Sequence, residues 1–245
     1  MAMLPITLKI LAFTVPKDGQ TAQQNEDAVV IGANTDRVGI ADGASEGWQS
    51  GAWANAVAMS FVETPPDPDS FPEWLHETRK KAPKAASSGS WYAEAKQETG
   101  AFSTLLGIAF EASKSGVGAK WRAVAVGDSC VFQVRANRLL AKFPIERAAD
   151  FSNRPALIGT ADRSAIPAPE WFAGRTEAGD TFYLLTDALA EWFLRVAETG
   201  GEPWSESNRL SNAAEFAAWI QLLRTTRTLK NDDTTSVRIE IQQAF

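Results

Sequence analysis

Five segments of the sequence place carboxylates where a short hydrophobic strand begins or ends. They are Glu26 and Asp27 in QNEDAVVIGA, Asp42 in VGIADGA, Asp128 in AVAVGDSCVF, Asp187 in FYLLTDAL, and Asp232 and Asp233 in NDDTTSVRI. Carboxylates at one edge of two packed sheets would repel one another and raise each other's pKa unless cations neutralise them. Because Mg²⁺ and Mn²⁺ suit sites made of oxygen ligands, the pattern favours these ions over Zn²⁺. One such segment alone would be weak evidence for a metal site, since an Asp-Gly pair is also typical of a simple turn.

Other catalytic chemistries find few suitable residues in this chain. The single histidine, His76, excludes a multi-histidine zinc site and lies among charged residues on a predicted surface helix. The single cysteine, Cys130, is followed by Arg135 after four residues, whereas the phosphate loop of cysteine phosphatases has five. Its segment SCVFQVRA alternates like a strand, so the pattern predicts a packed structural thiol. No G-x-x-x-x-G-K-[ST] phosphate loop is present.

Composition limits the class of protein and its partners. The chain has 245 residues, of which 44% are hydrophobic, enough for one globular unit with a sizeable core. A net charge of −6 argues against a broad surface for nucleic acid or anionic lipid. One cysteine fits a reducing compartment, and no stretch approaches the roughly 20 consecutive apolar residues of a spanning helix. We therefore expect a cytoplasmic protein that binds neither nucleic acid nor membrane.

Hydrophobic periodicity predicts groups of strands separated by pairs of helices. The predicted strands are 6–14, 27–33, 37–42, 103–111, 119–127, 129–136, 138–143, 181–186 and 234–242. The predicted helices have the sequences SGAWANAVAMSFVE, DSFPEWLHETRKKA, LAEWFLRVAETGG and SNAAEFAAWIQLLRTT. This order indicates an α+β layered sandwich in which helices cover antiparallel sheets. Residues 1–245 are expected to form a single domain, with a surface flap at about 146–180 where periodicity is weak.

Six motifs in order give the chain a resemblance to a known family. NEDA, ADGAS, TGAFSTLLGIAF, AVGDSCVF, AGDTFYLLTDALAEWF and NDDTTSVRI resemble, in order and approximate spacing, the metal-dependent protein phosphatases, or protein phosphatase type 2C-like family. The match covers nearly the whole chain, and the DGAS form resembles a divergent, mostly bacterial branch. The resemblance implies a four-layer α/β/β/α sandwich, with two antiparallel sheets flanked by helical pairs and a binuclear metal centre at one end.

The resemblance also implies a role for each of these residues. Asp42 would bridge two Mn²⁺ or Mg²⁺ ions, and the carbonyl of Gly43 would bind one of them. The remaining implied roles belong to carboxylates: Asp187 and Asp232 as further ligands, Glu26 and Asp27 as holders of metal-bound water or as ligands, and Asp128 as a ligand of a weaker third ion. The implied reaction is hydrolysis of phosphoserine or phosphothreonine in a protein by a metal-activated water. The implied partner is a phosphorylated signalling protein, either a kinase or its substrate.

Two positions depart from the pattern of the family. Members usually carry an Arg three residues before the NED triplet, which can hold the substrate phosphate bidentately, and here that position is Ala22. Lys17 lies nearby in sequence and could substitute as a point charge, although an ordinary surface lysine is the simpler interpretation. Eukaryotic members typically have a His after Asp-Gly, and Ala44 at that position cannot act as a general acid.

These departures leave an alternative function open. A pseudophosphatase, meaning a metal-stabilised interaction module without turnover, would also retain the metal-binding carboxylates. Trp48 follows the Asp42 turn closely enough to border the site, so it is a candidate contact for the substrate. The tryptophans on predicted helix stripes, such as Trp53 and Trp192, are more simply explained as core residues.

Overall fold

Two five-stranded antiparallel sheets form the centre of the protein. The structure is a computed structural model that describes residues 6–44, 49–83, 100–112, 119–162 and 164–243. In the first sheet the order is β1 (Ile6–Val15), β12 (Thr234–Gln243), β11 (Asp180–Leu185), β7 (Cys130–Arg135) and β8 (Arg138–Phe143). In the second sheet it is β10 (Glu170–Thr176), β6 (Ala119–Val126), β5 (Leu105–Ala112), β3 (Arg37–Ala41) and β2 (Ala28–Ile31). A short pair joins β4 (Phe102–Ser103) to β9 (Ile158–Gly159).

The two sheets pack face to face through one apolar face of each. Phe182 and Ile239 of the first sheet belong to the same buried cluster as Ile40, Ile108 and Trp121 of the second. The ring of Trp121 meets that of Phe182 edge to face, with centroids 5.1 Å apart. Because side chains alternate between the faces of a strand, burying one face leaves the opposite face of each sheet to be covered by helices.

Helices cover both outer faces of the sandwich. The helices are α1 (Ser50–Glu63), α2 (Phe71–Arg79), α3 (Asp187–Glu198), α4 (Pro203–Arg209) and α5 (Ala213–Thr225). Trp53 of α1 and Phe71 of α2 pack on the second sheet. On the first sheet, Phe193 of α3 stacks on Phe132 with ring centroids 4.3 Å apart. The layers therefore run helix, sheet, sheet, helix, and the predicted α+β four-layer sandwich is confirmed.

The register of the first sheet gathers three of the predicted acidic positions at one end. Leu185, the last residue of β11, pairs with Cys130, the first residue of β7, and also with Ser236 near the start of β12. The residues that follow β11 and precede β7 and β12 therefore share one end of the sheet. These residues are Asp187, Asp128 and Asp232.

The second sheet contributes its carboxylates at the same end. Ala28 begins β2 and pairs with Ala41, the last residue of β3, so Asp27 and Asp42 lie side by side. The chain passes from β6 of this sheet into β7 of the other sheet through the turn that contains Asp128. Because that turn connects the two sheets, the acidic ends of both lie against one another.

Strands β9 and β10 and helix α4 were not predicted from the sequence. Strand β10 lies inside the range 146–180 assigned to a flap, and it forms the edge of the second sheet. Its hydrophobic alternation is interrupted at Gly174, where an added Cβ would lie 2.6 Å from Nε1 of Trp121. Helix α4 is short and polar, with only Pro203, Trp204 and Ser207 buried. The rest of the flap assignment stays a prediction.

Among the described residues, no helix is both long enough and apolar enough to cross a bilayer.

Candidate metal centre

A cavity of about 670 Å³ opens at the end of the sandwich where the acidic strand ends meet. The turns that follow or precede the strands contribute Asp42, Gly43, Ala44, Asp128, Asp187, Lys230 and Asp232 to its wall. A further part of the wall comes from residues 152–157, with Ser152, Asn153, Arg154, Pro155 and Leu157. Phe102 and Thr104 complete the lining among the described residues. Five of the positions proposed from the sequence as metal ligands therefore face one space.

The backbone around Asp42 is held in place by Thr104. The Asp42 N–H donates to Thr104 Oγ1 at 2.9 Å, and the Thr104 N–H donates to the Asp42 carbonyl at 2.8 Å. Thr104 is buried and its hydroxyl also lies 3.3 Å from Ser129 Oγ. The direction of the Asp42 side chain is thus set by a residue 62 positions later in the chain.

Gly43 is required by the close approach of its neighbours. A Cβ at this position would lie 2.8 Å from the carbonyl carbon of Ser50 and 2.9 Å from the carbonyl oxygen of Glu26. Both are backbone atoms and cannot rotate away, so only glycine fits here. The Gly43 N–H donates to the Glu26 carbonyl at 3.2 Å, which ties the turn after β3 to the segment before β2.

We expect Thr104→Val to destabilise the protein by about 1–3 kcal/mol. The substitution keeps the shape of the side chain but leaves the Asp42 N–H without its acceptor, and a buried unsatisfied donor costs about that much. Denaturant unfolding at fixed metal concentration measures the change. Thr104→Ser keeps the hydroxyl and should lose clearly less stability. Unchanged stability in Thr104→Val would mean that the hydrogen bond to the Asp42 N–H contributes nothing.

Asp27 and Asp233 are not among the lining residues of the cavity, and their environments differ. Asp27 Oδ2 accepts a hydrogen bond from Thr186 Oγ1 at 3.1 Å, while Oδ1 is buried and has no partner among the described residues. Asp233 instead accepts the backbone N–H groups of Lys17 and Glu26, each at 2.8 Å. The Asp233 carboxylate therefore joins the N-terminal segment to the start of β12 and has a structural role.

Lys230 contacts two of the predicted ligands at once. Its Nζ lies 3.1 Å from Asp187 Oδ2 and 3.1 Å from Asp232 Oδ2. Asp187 is the first residue of α3, where the helix dipole favours a carboxylate. Asp187 Oδ1 is buried and has no hydrogen-bond partner in the described part of the chain.

Burial and the charges of neighbouring carboxylates raise the pKa values of three carboxyl groups at this end of the fold, those of Asp42, Asp27 and Asp128. Burial, followed by the charges of Asp27 and Asp187, raises the pKa of Asp42 well above its usual value. Burial raises the pKa of Asp27 to about 8, with the charge of Asp233 adding to the effect. Burial and then the charge of Asp187 raise the pKa of Asp128 to about 7. Such a cluster of buried acids is stable when protons or cations balance its charge.

The same carboxylates favour the charged form of Lys230. Burial opposes its positive charge, but the Asp187 and Asp232 carboxylates outweigh burial and hold the pKa of Lys230 above its usual value. Cys130 is buried nearby, and burial raises the pKa of its thiol. A thiol in that state is a poor nucleophile, in agreement with the prediction that Cys130 is structural.

Several residues proposed from the sequence lie away from the cavity wall. Glu26 contributes backbone contacts to Gly43 and Asp233, and its side chain is not part of the lining. Ala22 lies in an exposed single turn at Ala22–Gln24, and Lys17 is also not among the lining residues. Trp48 lies outside the described residues, so its suggested contact with substrate stays a prediction.

Four residues at the site were not assigned a role from the sequence. They are Thr104, Arg154, Arg224 and Lys230. Arg224 is buried and donates to the carbonyls of Pro16 and Asp232, which fixes the loop that carries the Asp232 carboxylate. The sequence could have indicated Lys230 as a site residue, because it lies two residues before a predicted ligand. It could also have indicated Arg154, which is the cation of the SNRP segment in the predicted flap.

Solved structures of serine/threonine phosphatases resemble this chain over nearly its whole length. The serine/threonine phosphatase PstP/Ppp of Mycobacterium tuberculosis has 17% identity and a TM-score of 0.59, with 97% of this chain and 99% of the other covered. The chain has the fold of the metal-dependent protein phosphatases. The photosystem II phosphatase PBCP has 12% identity and a TM-score of 0.61, with coverages of 97% and 100%. The catalytic domain of PstP in complex with two manganese ions has 18% identity and a TM-score of 0.57, with coverages of 97% and 99%.

The resemblance seen in the motifs is thus confirmed at the level of this phosphatase fold. No protein-family model matches the sequence. No curated protein matches it either. At identities below a fifth, the likeness establishes architecture, and the chemistry must be argued from the residues of this chain.

The donor atoms at the end of this phosphatase fold suit a hard divalent cation. The wall is rich in carboxylate oxygens, and the buried oxygens Asp27 Oδ1 and Asp187 Oδ1 accept no hydrogen bond within the described residues. The raised pKa values mark charge that a cation would neutralise. As the side chains stand, however, no three Asp, Glu, His or Cys residues of the described ranges are arranged to hold one ion. Lys230 Nζ occupies the position between Asp187 and Asp232.

Proposed function

We propose that this chain is a metal-dependent phosphatase that hydrolyses phosphate monoesters, with phosphoserine or phosphothreonine in a protein as the substrate. The observation that carries the proposal is the convergence of Asp42, Asp128, Asp187 and Asp232 on one cavity at the end of a phosphatase fold. Burial and the neighbouring carboxylates raise the pKa values of Asp42 and Asp128, and perturbed pKa values of this kind cluster at functional sites.

Mn²⁺ or Mg²⁺ would be held by Asp42, the Gly43 carbonyl, Asp187 and Asp232, and Asp128 would serve a weaker third ion. The catalytic domain of PstP forms a complex with two manganese ions, which supports the choice of metal. When bound, such ions supply a water of lowered pKa and positive charge for the phosphate oxygens. Thr104 orients Asp42 for metal binding, and Arg224 orients the loop that carries Asp232.

The part of the wall formed by residues 152–157 is suited to a phosphorylated segment of protein. Arg154 is exposed on this wall, and its guanidinium can pair with phosphate oxygens in place of the family's Arg, whose position is Ala22 here. Pairing of β9 with β4, and a hydrogen bond from Trp53 Nε1 to the Ile158 carbonyl at 2.8 Å, anchor the end of this wall. Ala44 carries no proton donor, so the departing alkoxide would take its proton from water.

Hydrolysis assays with and without metal test the proposal. The purified chain with Mn²⁺ should hydrolyse an aryl phosphate and a phosphothreonine peptide, and EDTA should abolish both activities. A phosphotyrosine peptide of the same sequence tests the substrate class and should be a poorer substrate. Hydrolysis that continues in EDTA would contradict a metal-dependent mechanism.

The placement of Lys230 and the absence of an Arg at Ala22 favour one alternative, a pseudophosphatase. This alternative requires binding of Mn²⁺ and of a phosphorylated protein or kinase without turnover. A metal-induced rise in Tm, together with no hydrolysis of either phosphate ester, would support it over the phosphatase.

A further inference from the structure

Lys230 occupies the place where a divalent ion would contact Asp187 and Asp232. Its ammonium lies 3.1 Å from one carboxylate oxygen of each residue. A Mg²⁺ ion bound by the same oxygens would lie roughly 2.0–2.1 Å from them. An ammonium and a metal ion cannot bind these two oxygens at the same time, since the two positive charges would occupy nearly the same place.

We propose that Lys230 competes with a divalent metal ion for the carboxylates of Asp187 and Asp232. As a tethered competitor, it raises the Kd of the site for the metal. The inference rests on the proposed metal centre and adds a residue that sets its affinity. Each binding event breaks two charge-assisted hydrogen bonds of Lys230 before the carboxylates can turn to the ion. Without Lys230, the same carboxylates would bind metal without this loss.

The side chain of Lys230 is able to move aside. It is 50% exposed and lies in the connection between α5 and β12, and its flexible four-carbon stem allows the ammonium to turn toward solvent. Arg224 makes a contrast, because its side chain is only 3% exposed and binds the Asp232 carbonyl rather than the carboxylate. The loop is therefore held by a fixed arginine, while the carboxylates are paired with a movable lysine.

Titration calorimetry with Mn²⁺ tests the proposal directly. Lys230→Met, which keeps an unbranched side chain without charge, should bind Mn²⁺ about tenfold more tightly than the unaltered protein, or about 1.4 kcal/mol. In EDTA the Tm of Lys230→Met should fall, because two carboxylates lose their cation. Its metal-induced rise in Tm should be larger than that of the unaltered protein. Lys230→Gln provides a second variant with the same expected direction.

Lys9→Met is the matched control. Lys9 is 52% exposed and its Nζ lies 3.0 Å from Glu240, but it is placed in the middle of β1, away from the cavity. Lys9→Met removes the same charge as Lys230→Met and should leave the Kd for Mn²⁺ unchanged. Equal Kd values for Lys230→Met and the unaltered protein would overturn the competitor role while leaving the metal centre intact. Absence of Mn²⁺ binding in both proteins would overturn this role together with the proposed metal-dependent function.

Discussion

Asp42→Asn is expected to reduce metal-dependent hydrolysis by at least about 10³-fold, at the upper end of what loss of one charge-stabilising group costs. Asparagine keeps the shape of the side chain, and the backbone contacts to Thr104 do not depend on the charge. It loses the negative charge and one oxygen at the centre of the carboxylate cluster. Hydrolysis of an aryl phosphate at saturating Mn²⁺ measures the loss.

The same substitution should stabilise the metal-free protein. Burial and the neighbouring charges of Asp27 and Asp187 raise the pKa of Asp42, so an ionised carboxylate here opposes folding at neutral pH. Removing the ionisable group should therefore increase the free energy of unfolding at neutral pH. A higher Tm in EDTA together with lost turnover would separate function from folding.

Asp69→Asn is a suitable control for both measurements. Asp69 is exposed in the turn before α2 and is not part of the cavity wall. We expect neither activity nor Tm to change. Turnover retained in Asp42→Asn would show that this carboxylate is not part of the reactive centre.

The metal-free protein should become less stable as pH rises from about 5 to about 8. Asp27 and Asp128 have folded pKa values of about 8 and about 7, above the unfolded value of about 3.9. Between the unfolded and folded pKa values the folded state binds more protons, so raising the pH favours unfolding. The stabilisation that protonated Asp27 and Asp128 contribute is complete below about pH 4 and is lost as the pH rises through the folded pKa values. For Asp128 alone, the loss between about pH 5 and about pH 8 is on the order of 3 kcal/mol.

Denaturant unfolding in EDTA across this pH range measures the slope. Asp128→Asn should flatten the pH dependence, because it removes one of the titrating groups without altering the exposed carboxylates. Saturating Mn²⁺ should also flatten it, since a bound cation neutralises the charges that otherwise favour protonation. A stability that rises steadily with pH in EDTA would contradict the raised pKa values.

Much of the fold was predictable because its elements have strong local patterns. Strand β12 alternates Val237, Ile239 and Ile241 with polar residues, and α3 carries Leu189 and Phe193 on one face. Strand β10 was missed because its alternation breaks at Gly174, where the ring of Trp121 fills the space. That space is provided by a neighbouring strand, so no local pattern could indicate it.

The candidate site shows the same division between local and distant information. Asp42 and Asp187 could be proposed from the sequence because each directly adjoins a hydrophobic strand. The role of Asp233 could not be assigned in this way, since it resembles Asp232 in sequence but accepts backbone N–H groups from residues more than 200 positions earlier. Adjacent residues on an extended segment point to opposite sides, and only the packed structure decides which side faces the cavity.

The sequence by itself determined the layered α+β architecture and the placement of carboxylates at strand ends, because both follow from the short-range alternation of apolar and polar residues. Only the tertiary structure decided which cationic side chains lie beside these carboxylates. Lys230 and Asp187 are 43 positions apart, and Arg154 lines the same cavity from a third segment of the chain. Electrostatic pairing depends on distance in space, and that distance exists only once the two sheets have packed.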